Sequence, residues 1–261
     1  MTIYSLPVAK LLTLGKPETY DSDAWLDYRS LGLDETHIPG LIRLATDVDL
    51  HLTEQDIPAI WGPVHAWRAL GQLRAVAAIE PLLPLFESLR ENEWLTEELP
   101  QVLAMIGPAA IQPLAMYLEQ TKHAEWPCIF AAQSLVNMAQ LHPEVRTDCV
   151  AVLAGQLQHY QDNGSDLNGF LIHNLIDLKA SECLPLIREA FEADTVNLDI
   201  LGDLEDVEIA LGAGTERIIL EPAFPEPFPL NKATVKKADP KVKAKRKMAK
   251  QSRKKNRKKK K

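Results

Sequence analysis

The residues best suited to chemistry are the lysines and arginines near the end of the chain. Residues 231–261 hold 17 Lys and Arg against one acidic residue, Asp239, a balance of +16. Such a cluster neutralises phosphates and releases their counterions, so it predicts salt-sensitive, sequence-independent binding to RNA, DNA or a ribosome. The cluster contains no aromatic residue, so base stacking is not expected. The candidate nucleic-acid-binding residues are Lys243, Lys245, Arg246, Lys247, Lys250, Arg253, Lys254, Lys255, Arg257, Lys258, Lys259, Lys260 and Lys261.

The rest of the protein has the opposite charge. Residues 1–230 hold 12 Lys and Arg against 35 Asp and Glu, a balance of −23, and the full sequence of 261 residues has a net charge of −7. This asymmetry leaves other roles open for the basic tail. It could keep the protein soluble, fold back on the acidic residues, or serve as a nuclear address if the host is eukaryotic. The acidic surface itself would repel nucleic acid, which favours a protein partner there.

Metal binding is not predicted, because the seven histidines and three cysteines lack the spacing of ligand sets. No HxH, HxxxH or CxxC pattern occurs. Cys128, Cys149 and Cys183 each lie in an apolar helical pattern, which is typical of buried free thiols. His65 and His173 fall within helical patterns and are expected to be structural. We therefore expect no metal and no cofactor.

Location is predicted from the same cysteine usage and from hydropathy. The odd, widely spaced cysteines favour a reducing cytoplasmic interior. No apolar run is long enough to predict a membrane span. The first residues lack a cationic leader and a small-residue cleavage site, so no signal peptide is expected.

Catalytic motifs are also missing from the sequence. There is no Gly-rich phosphate loop, no GxSxG and no HExxH. Two acidic groups, Glu97-Glu98 and the cluster at 203–208, could act as acids or bases, but on so acidic a surface we expect solvated helix faces. Trp67 is expected in the core, whereas Trp61, Trp94 and Trp126 flank turns and are expected to pack between helix pairs. No catalytic residue is assigned, which favours a protein that is not an enzyme.

The elements that position these residues follow a repeat. Three segments share an apolar run, a short break and a second apolar run that begins with proline, at 79–83, 111–115 and 183–187. Proline suits the first turn of a helix, where its missing N–H has no intrahelical partner. The preceding runs are 66–73, 99–106 and 170–178, and a further pair, 130–141 and 145–157, lies before the last of these without the same proline pattern.

The spacing within and between these runs is helical and repetitive. Ile79, Leu82, Leu83 and Phe86 follow the i, i+3, i+4, i+7 pattern of an amphipathic helix. Equivalent leucines of the second helices, at 82, 114, 153 and 186, are separated by 32, 39 and 33 residues. One helix pair cannot bury its apolar surface alone, so neighbouring pairs are predicted to stack.

Residues 65–83, HAWRALGQLRAVAAIEPLL, resemble a HEAT-like repeat of the armadillo-type α-solenoid family. They are most similar to the repeats of phycobilisome bilin lyases, in which A-x-x-A-L-G precedes a turn and a second helix. Pro81 and Pro113 match the family's proline, and the resemblance covers about 60–191, although the third repeat is longer. The resemblance implies an α-solenoid with a binding surface. The alternative that it implies is a bilin-lyase-like enzyme or chaperone that holds a chromophore or substrate in the solenoid groove.

The predicted fold class is all-α: an α-solenoid of HEAT-like helix–turn–helix repeats with a disordered C-terminal tail. Residues 1–59 are expected to form a helical N-terminal cap, with helices near 22–31 and 36–45. The repeat domain is expected at 60–220, and a short acidic helix at 203–211 is expected to end at Gly212. A proline-rich linker (221–231) and the polybasic tail (232–261) follow.

The function predicted from these patterns is a non-catalytic interaction scaffold. The acidic solenoid would bind an unknown protein partner, while the tail binds RNA, DNA or a ribosome. Two binding sites joined by a linker raise avidity without any new contact.

Overall fold

The structure is a computed structural model that describes residues 3–53, 55–120 and 123–214. Across these ranges every regular element is an α-helix or a 3-10 turn, and no strand is present. The all-α prediction is therefore confirmed for this part of the protein. The described residues belong to one compact unit, Met1–Glu216. The predicted linker and tail lie outside the described residues.

Thirteen α-helices occur in the described ranges. They are α1 (Ile38–Ala45), α2 (Val48–His51), α3 (Gly62–Gln72), α4 (Ile79–Leu82), α5 (Leu85–Ser88), α6 (Glu93–Ile106), α7 (Ile111–Leu118), α8 (Glu125–Leu141), α9 (Arg146–Leu157), α10 (Ser165–Asp177), α11 (Leu184–Glu192), α12 (Leu198–Leu201) and α13 (Leu204–Ala210).

The longer helices pack in two rows. The first row consists of α3, α6, α8 and α10, and each of these helices packs against the next. At its ends, α1 packs against α3 and α12 packs against α10. The second row contains α7, α9 and α11, with α9 in contact with both of its neighbours. The rows enclose an apolar core that includes the fully buried Trp67, Leu103 and Leu135. Truncating such a leucine to alanine costs about 2–5 kcal/mol.

The same turn joins the two rows near both ends of the unit. Arg74 follows α3 with φ of 52°, and Lys179 follows α10 with φ of 53°. In each case the next residue is a buried alanine whose N–H bonds back to a carbonyl of the helix: Ala75 to Leu70 and Ala180 to Leu175. A single 3-10 turn and the second helix follow in both places. The same backbone bond also ends α11 at Asp194 and α13 at Gly212. The two copies that lead from the first row to the second lie 105 residues apart, which corresponds to three intervals of about 35 residues.

The prolines of the repeat lie in the first turns of their helices, as predicted. A further proline, Pro84, interrupts a helix that the apolar periodicity predicted to be continuous. Pro81, Pro113 and Pro185 fall in the first turns of α4, α7 and α11. Pro84, however, divides the second helix of the first pair into α4 and α5, because it cannot donate the hydrogen bond that would continue the helix. The predicted apolar positions remain buried across this break, from Ile79 to Phe86.

The predicted helix at 22–31 is wrong. The backbone instead forms two 3-10 turns there, Ser22–Ala24 and Arg29–Leu31. Asp21 accepts a hydrogen bond from the N–H of Asp23, and Asp27 accepts from the N–H groups of Arg29 and Ser30. The short carboxylate of aspartate competes in this way with helical hydrogen bonding. We refer to residues 15–31 as the N-terminal segment.

Candidate functional site

A buried ion pair joins α3 to α6. Arg68 Nε donates to Glu98 Oε2 at 2.9 Å, Arg68 Nη2 bonds the other carboxylate oxygen, and Trp67 Nε1 donates to Oε2 at 2.9 Å. The Arg68 and Glu98 side chains are 3% and 0% exposed. The prediction that Glu98 lies on a solvated face is therefore wrong. Packing of α3 against α6 places that carboxylate opposite its two donors.

This buried ion pair is compatible with a stable fold only while both the Arg68 and the Glu98 side chains are present. Burial raises the pKa of the Glu98 carboxyl above its ordinary value, and the hydrogen bonds from Arg68 and Trp67 offset part of that rise. Arg68 also lies over the ring of Trp25, 4.6 Å from its centroid. Removing one member of a buried pair leaves the other charge without compensation. The pair therefore locks this end of the first row into one arrangement.

Polar side chains of α3 bind the N-terminal segment. Arg68 Nη2 donates to the carbonyl of Thr19 at 2.6 Å, and His65 Nε2 lies 2.9 Å from the carbonyl of Gly15. Since a carbonyl only accepts, Nε2 bears the proton and Nδ1 accepts from the Tyr28 hydroxyl at 2.7 Å. Burial lowers the pKa of His65 and raises the pKa of Tyr28 to about 12, so both groups are neutral near pH 7.

Gln72 binds the backbone of the same segment. Its Oε1 accepts from the N–H of Tyr28 at 3.0 Å, and its Nε2 donates to the carbonyl of Leu26 at 2.8 Å. On α6, Gln101 Nε2 donates to the hydroxyl of Ser22. Two amide side chains of the first row thus hold an irregular stretch of polypeptide on the outside of the helices.

An open groove of about 1100 Å³ continues along this face. Five amide side chains line it, so we call it the amide groove: Gln72, Gln101, Gln133, Asn137 and Gln140. The remaining lining comes from α3, α6, α8, α10 and the N-terminal segment: Ser22, Asp23, Asp27, Arg29, Gly71, Arg74, Thr96, Glu97, Ala104, Met105, Trp126, Ile129, Phe130, Leu141 and Phe170. Cavities of this size accommodate ligands larger than one amino-acid side chain.

One face of α8 gives the groove an apolar end and a polar end. Trp126 is 49% exposed, and its ring lies 6.2 Å from Phe130 and 5.7 Å from Phe170 of α10. The prediction that Trp126 packs between helix pairs holds for its contact with Phe170 but not for its outer half, which faces solvent. About two to three turns beyond Trp126 on α8, Gln133 Nε2 donates to Asn137 Oδ1 at 3.1 Å.

The charges around the groove are unbalanced. Asp23, Asp27 and Glu97 line it together with Arg29 and Arg74. Arg29 is already paired with Glu35 at 3.0 Å. The groove therefore presents more negative than positive charge and favours a ligand with net positive charge.

The polar groups that line the groove are amides, hydroxyls, carboxylates and guanidinium groups. Within the described ranges, no three residues of the types His, Cys, Asp or Glu converge as a metal ion would require. The three cysteines are buried free thiols, as predicted. Burial raises the pKa of Cys128 and of Cys149 to about 11 and also raises that of Cys183, which keeps them in the unreactive thiol form.

The structure also shows whether the other tryptophans and histidines are buried, as the sequence predicted. Trp67 is fully buried, and His65 is buried with two partners, as predicted. His173 is instead half-exposed, 3.8 Å from Asp177. Trp94 packs edge-on against Trp61, with 5.5 Å between the ring centroids.

No single helix within the described ranges is both long and apolar enough to cross a bilayer. Among those residues, one pair of helical segments reaches that length and hydropathy together, α6 and Pro108–Leu118, but the chain bends by 113° between them.

Sequence reasoning missed the amide groove and placed its candidate site elsewhere. The predicted site, Lys243 to Lys261, lies outside the described residues. A pattern for the groove was present in α8, where Gln133, Asn137 and Gln140 recur at i, i+4 and i+7 on one helix face. Polar residues at that spacing ordinarily indicate only a solvated face. The convergence with Gln72 and Gln101 depends on tertiary packing.

Comparison with known proteins gives one match. A family model described as protein of unknown function (DUF1186) matches residues 38–236, which is most of the sequence. No curated protein and no solved structure matches it. The matched residues include every helix that lines the amide groove, whereas the N-terminal segment precedes the match. The protein therefore belongs to the DUF1186 family.

Proposed function

We propose that this protein is a non-catalytic interaction scaffold. Its helix pairs form a HEAT-like α-solenoid, the amide groove binds a protein partner, and the Lys/Arg-rich tail binds RNA, DNA or a ribosome. The recurrence of one turn after α3 and α10, together with the stacked rows of helices, supports the solenoid arrangement.

The observation that most favours protein binding is the composition of the amide groove. It combines the half-exposed Trp126 and its aromatic neighbours with neutral amides. Aromatic side chains dominate binding energy at protein interfaces, because they bury a large area at a low cost in conformational entropy. An exposed apolar cluster of this kind, rimmed by polar groups, is typical of an interaction site.

The test of this proposal is comparative affinity capture. The full-length protein and a Trp126→Ala variant are immobilised in equal amounts, and the proteins that they retain from the host's extract are quantified. A partner of the groove should be retained by the full-length protein and by Leu198→Ala, which removes a similarly exposed apolar group from α12, but not by Trp126→Ala. Equal retention by all three would exclude the groove as the interface.

The role of the tail is tested separately. Labelled RNA is titrated with the full-length protein and with a variant of the same length in which Lys and Arg of 243–261 are replaced by glutamine. With six or more phosphate contacts, affinity should fall on the order of a thousandfold between about 50 and 200 mM salt. The glutamine variant should not bind. Equal binding by the two proteins, or none by either, would contradict nucleic-acid binding by the tail.

The alternative function, a bilin-lyase-like enzyme or chaperone, would use the same groove for a chromophore or small substrate. The groove volume of about 1100 Å³ is at the upper end of the range for small-molecule sites. That alternative predicts that the protein is purified coloured, or that its melting temperature rises with an added tetrapyrrole. The scaffold predicts neither result.

A further inference from the structure

The contact between Gln72 and the N-terminal segment is an example of how this face binds polypeptide. One side-chain amide accepts from the backbone N–H of Tyr28 and donates to the backbone carbonyl of Leu26. Both bonds are to backbone atoms, so they would form with almost any sequence. A side-chain amide, like a peptide group, presents both an N–H donor and a carbonyl acceptor, so the two can form two hydrogen bonds with each other.

The same chemistry continues into the open part of the groove. The bond from Gln133 Nε2 to Asn137 Oδ1 leaves Gln133 Oε1 as an acceptor and Asn137 Nδ2 as a donor, and neither has a partner among the described residues. If the oxygen and nitrogen atoms of both side-chain amides exchanged places, the pair would still offer one donor nitrogen and one acceptor oxygen. This pair therefore presents an acceptor and a donor, the two kinds of group with which Gln72 binds the N-terminal segment.

The ends of the groove restrict the chemistry of the occupant. The aromatic cluster of Trp126, Phe130 and Phe170 favours a large apolar side chain. The carboxylates of Asp23, Asp27 and Glu97 favour positive charge. A backbone-binding surface with one apolar pocket suits an extended peptide, whose backbone groups are not already paired as they are in a helix.

We propose that the amide groove binds an extended segment of a partner protein by its backbone, through Gln133 and Asn137, and that a large apolar side chain of this segment packs against Trp126. This inference rests on the proposed function, since it requires that the groove bind a protein. It adds that the partner presents an unpaired, extended backbone with net positive charge rather than a folded surface.

The probe for the test is a phage-displayed library of random dodecapeptides, panned on the full-length protein at physiological salt. Enriched sequences should share a large apolar residue and carry a net positive charge. Synthetic versions should bind Gln133→Ala and Asn137→Ala about two- to tenfold more weakly than the unaltered protein, the effect of losing one hydrogen bond. They should bind Trp126→Ala roughly thirtyfold more weakly, as at a hot spot. Gln112→Ala, an exposed glutamine on α7 outside the groove, is the matched control and should have no effect.

Methylation of the peptide's own backbone nitrogens separates backbone from side-chain recognition. At the peptide bond that faces Gln133, N-methylation should weaken binding by at least the same factor, and Gln133→Ala, which removes the acceptor of that N–H, should then have no further effect. If Trp126→Ala weakens binding but neither N-methylation nor the amide variants do, backbone recognition is wrong and the groove remains an interface. If no library peptide is enriched, or if none of the changes weakens binding, the inference of an extended segment fails, whereas the groove as a protein interface is decided by the affinity capture with Trp126→Ala.

Two other occupants would give distinct results. If peptides bind only after the Lys and Arg of 243–261 are replaced by glutamine, the occupant is the protein's own tail. If the full-length protein sediments as a dimer that Trp126→Ala dissociates, the occupant is a second copy. Either result would overturn the inference of a partner's segment.

Discussion

The first row of helices has a covered part and an open part, and they differ in that the covered part contains a buried ion pair. Where the N-terminal segment lies on α3 and α6, the contacts include the buried, charged pair of Arg68 and Glu98. Where the amide groove is open, the α8 side chains are the neutral Gln133, Asn137 and Gln140. A buried charge that loses its partner costs several kcal/mol, whereas an amide that loses its partner at the surface is hydrated by water. A buried ion pair thus fits a permanent contact, whereas the amides of α8, which water can reach, fit a contact that forms and dissociates.

The largest expected effect comes from breaking the covered part. Arg68→Ala leaves Glu98 buried without its cation, and it should lower the free energy of unfolding by about 3–5 kcal/mol. Urea unfolding followed by circular dichroism measures this loss. The control is Arg188→Ala, which removes the exposed pair with Glu208 and should cost less than about 1 kcal/mol. Similar losses in the two variants would contradict the role assigned to burial.

Two asparagines of α10 sharpen the comparison between partnered and unpartnered groups. Asn168 is fully buried, donates to the carbonyls of Tyr160 and Thr195, and accepts from Asn163. Asn168→Leu should therefore cost about 2–3 kcal/mol, because it leaves buried groups without partners.

Asn174, on the same helix, should behave in the opposite way. It is 1% exposed, and neither of its side-chain polar atoms has a hydrogen-bond partner among the described residues. Asn174→Leu removes the cost of that burial and should stabilise the protein by about 1 kcal/mol. Differential scanning calorimetry should show a lower melting temperature for Asn168→Leu and a higher one for Asn174→Leu. A melting temperature lowered equally by both changes would show that Asn174 has a partner in the folded protein.

A smaller difference in the free energy of unfolding is expected between variants of Gln72, in the covered part, and of Gln133, in the open part. Gln72→Ala removes two bonds to the N-terminal segment and should lower the free energy of unfolding by about 1 kcal/mol. Gln133→Ala, in the open groove, should change it by less than about 0.5 kcal/mol. Urea midpoints compare the two variants. A larger loss for Gln133 would mean that the groove amides are structural, and their assignment to binding would fail.

The smallest expected effect is on the pH dependence of stability. Burial lowers the pKa of His65 in the folded protein, so unfolding takes up a proton in the interval below its ordinary pKa of 6.5. The stability that this neutral imidazole contributes is fully present above pH 6.5 and is lost as pH falls through the folded-state pKa. His65→Gln should flatten the slope of stability against pH below pH 7. Burial also lowers the pKa of His51, so part of the slope should remain. An unchanged slope would show that folding does not shift the pKa of His65.

Local sequence patterns predicted much of this structure. Apolar periodicity placed the helices of both rows, the prolines marked the starts of α4, α7 and α11, and the buried cysteines and Trp67 followed from the same periodicity. These features depend on interactions within one or two helical turns, which a short window of sequence contains.

The rest depended on contacts between distant residues. Glu98 is buried because Arg68, thirty positions earlier, lies opposite it, and no window of sequence around Glu98 contains that information. The stretch at 22–31 became two 3-10 turns because aspartate side chains and the amides of α3 and α6 bind it better than helical bonds would. The groove has the same origin, since its five amides come from three helices.

The matching turns at Arg74 and Lys179 give the first row the same local geometry near both of its ends. In the proposed solenoid, a block of sequence that runs from one of these turns to the other would begin and end alike. Copying or removing that block, by gene duplication or by protein engineering, would change the protein by three helix pairs and the groove by roughly 24–30 Å, at about 8–10 Å for each helix. The number of blocks would then set how many residues of a bound partner the groove spans.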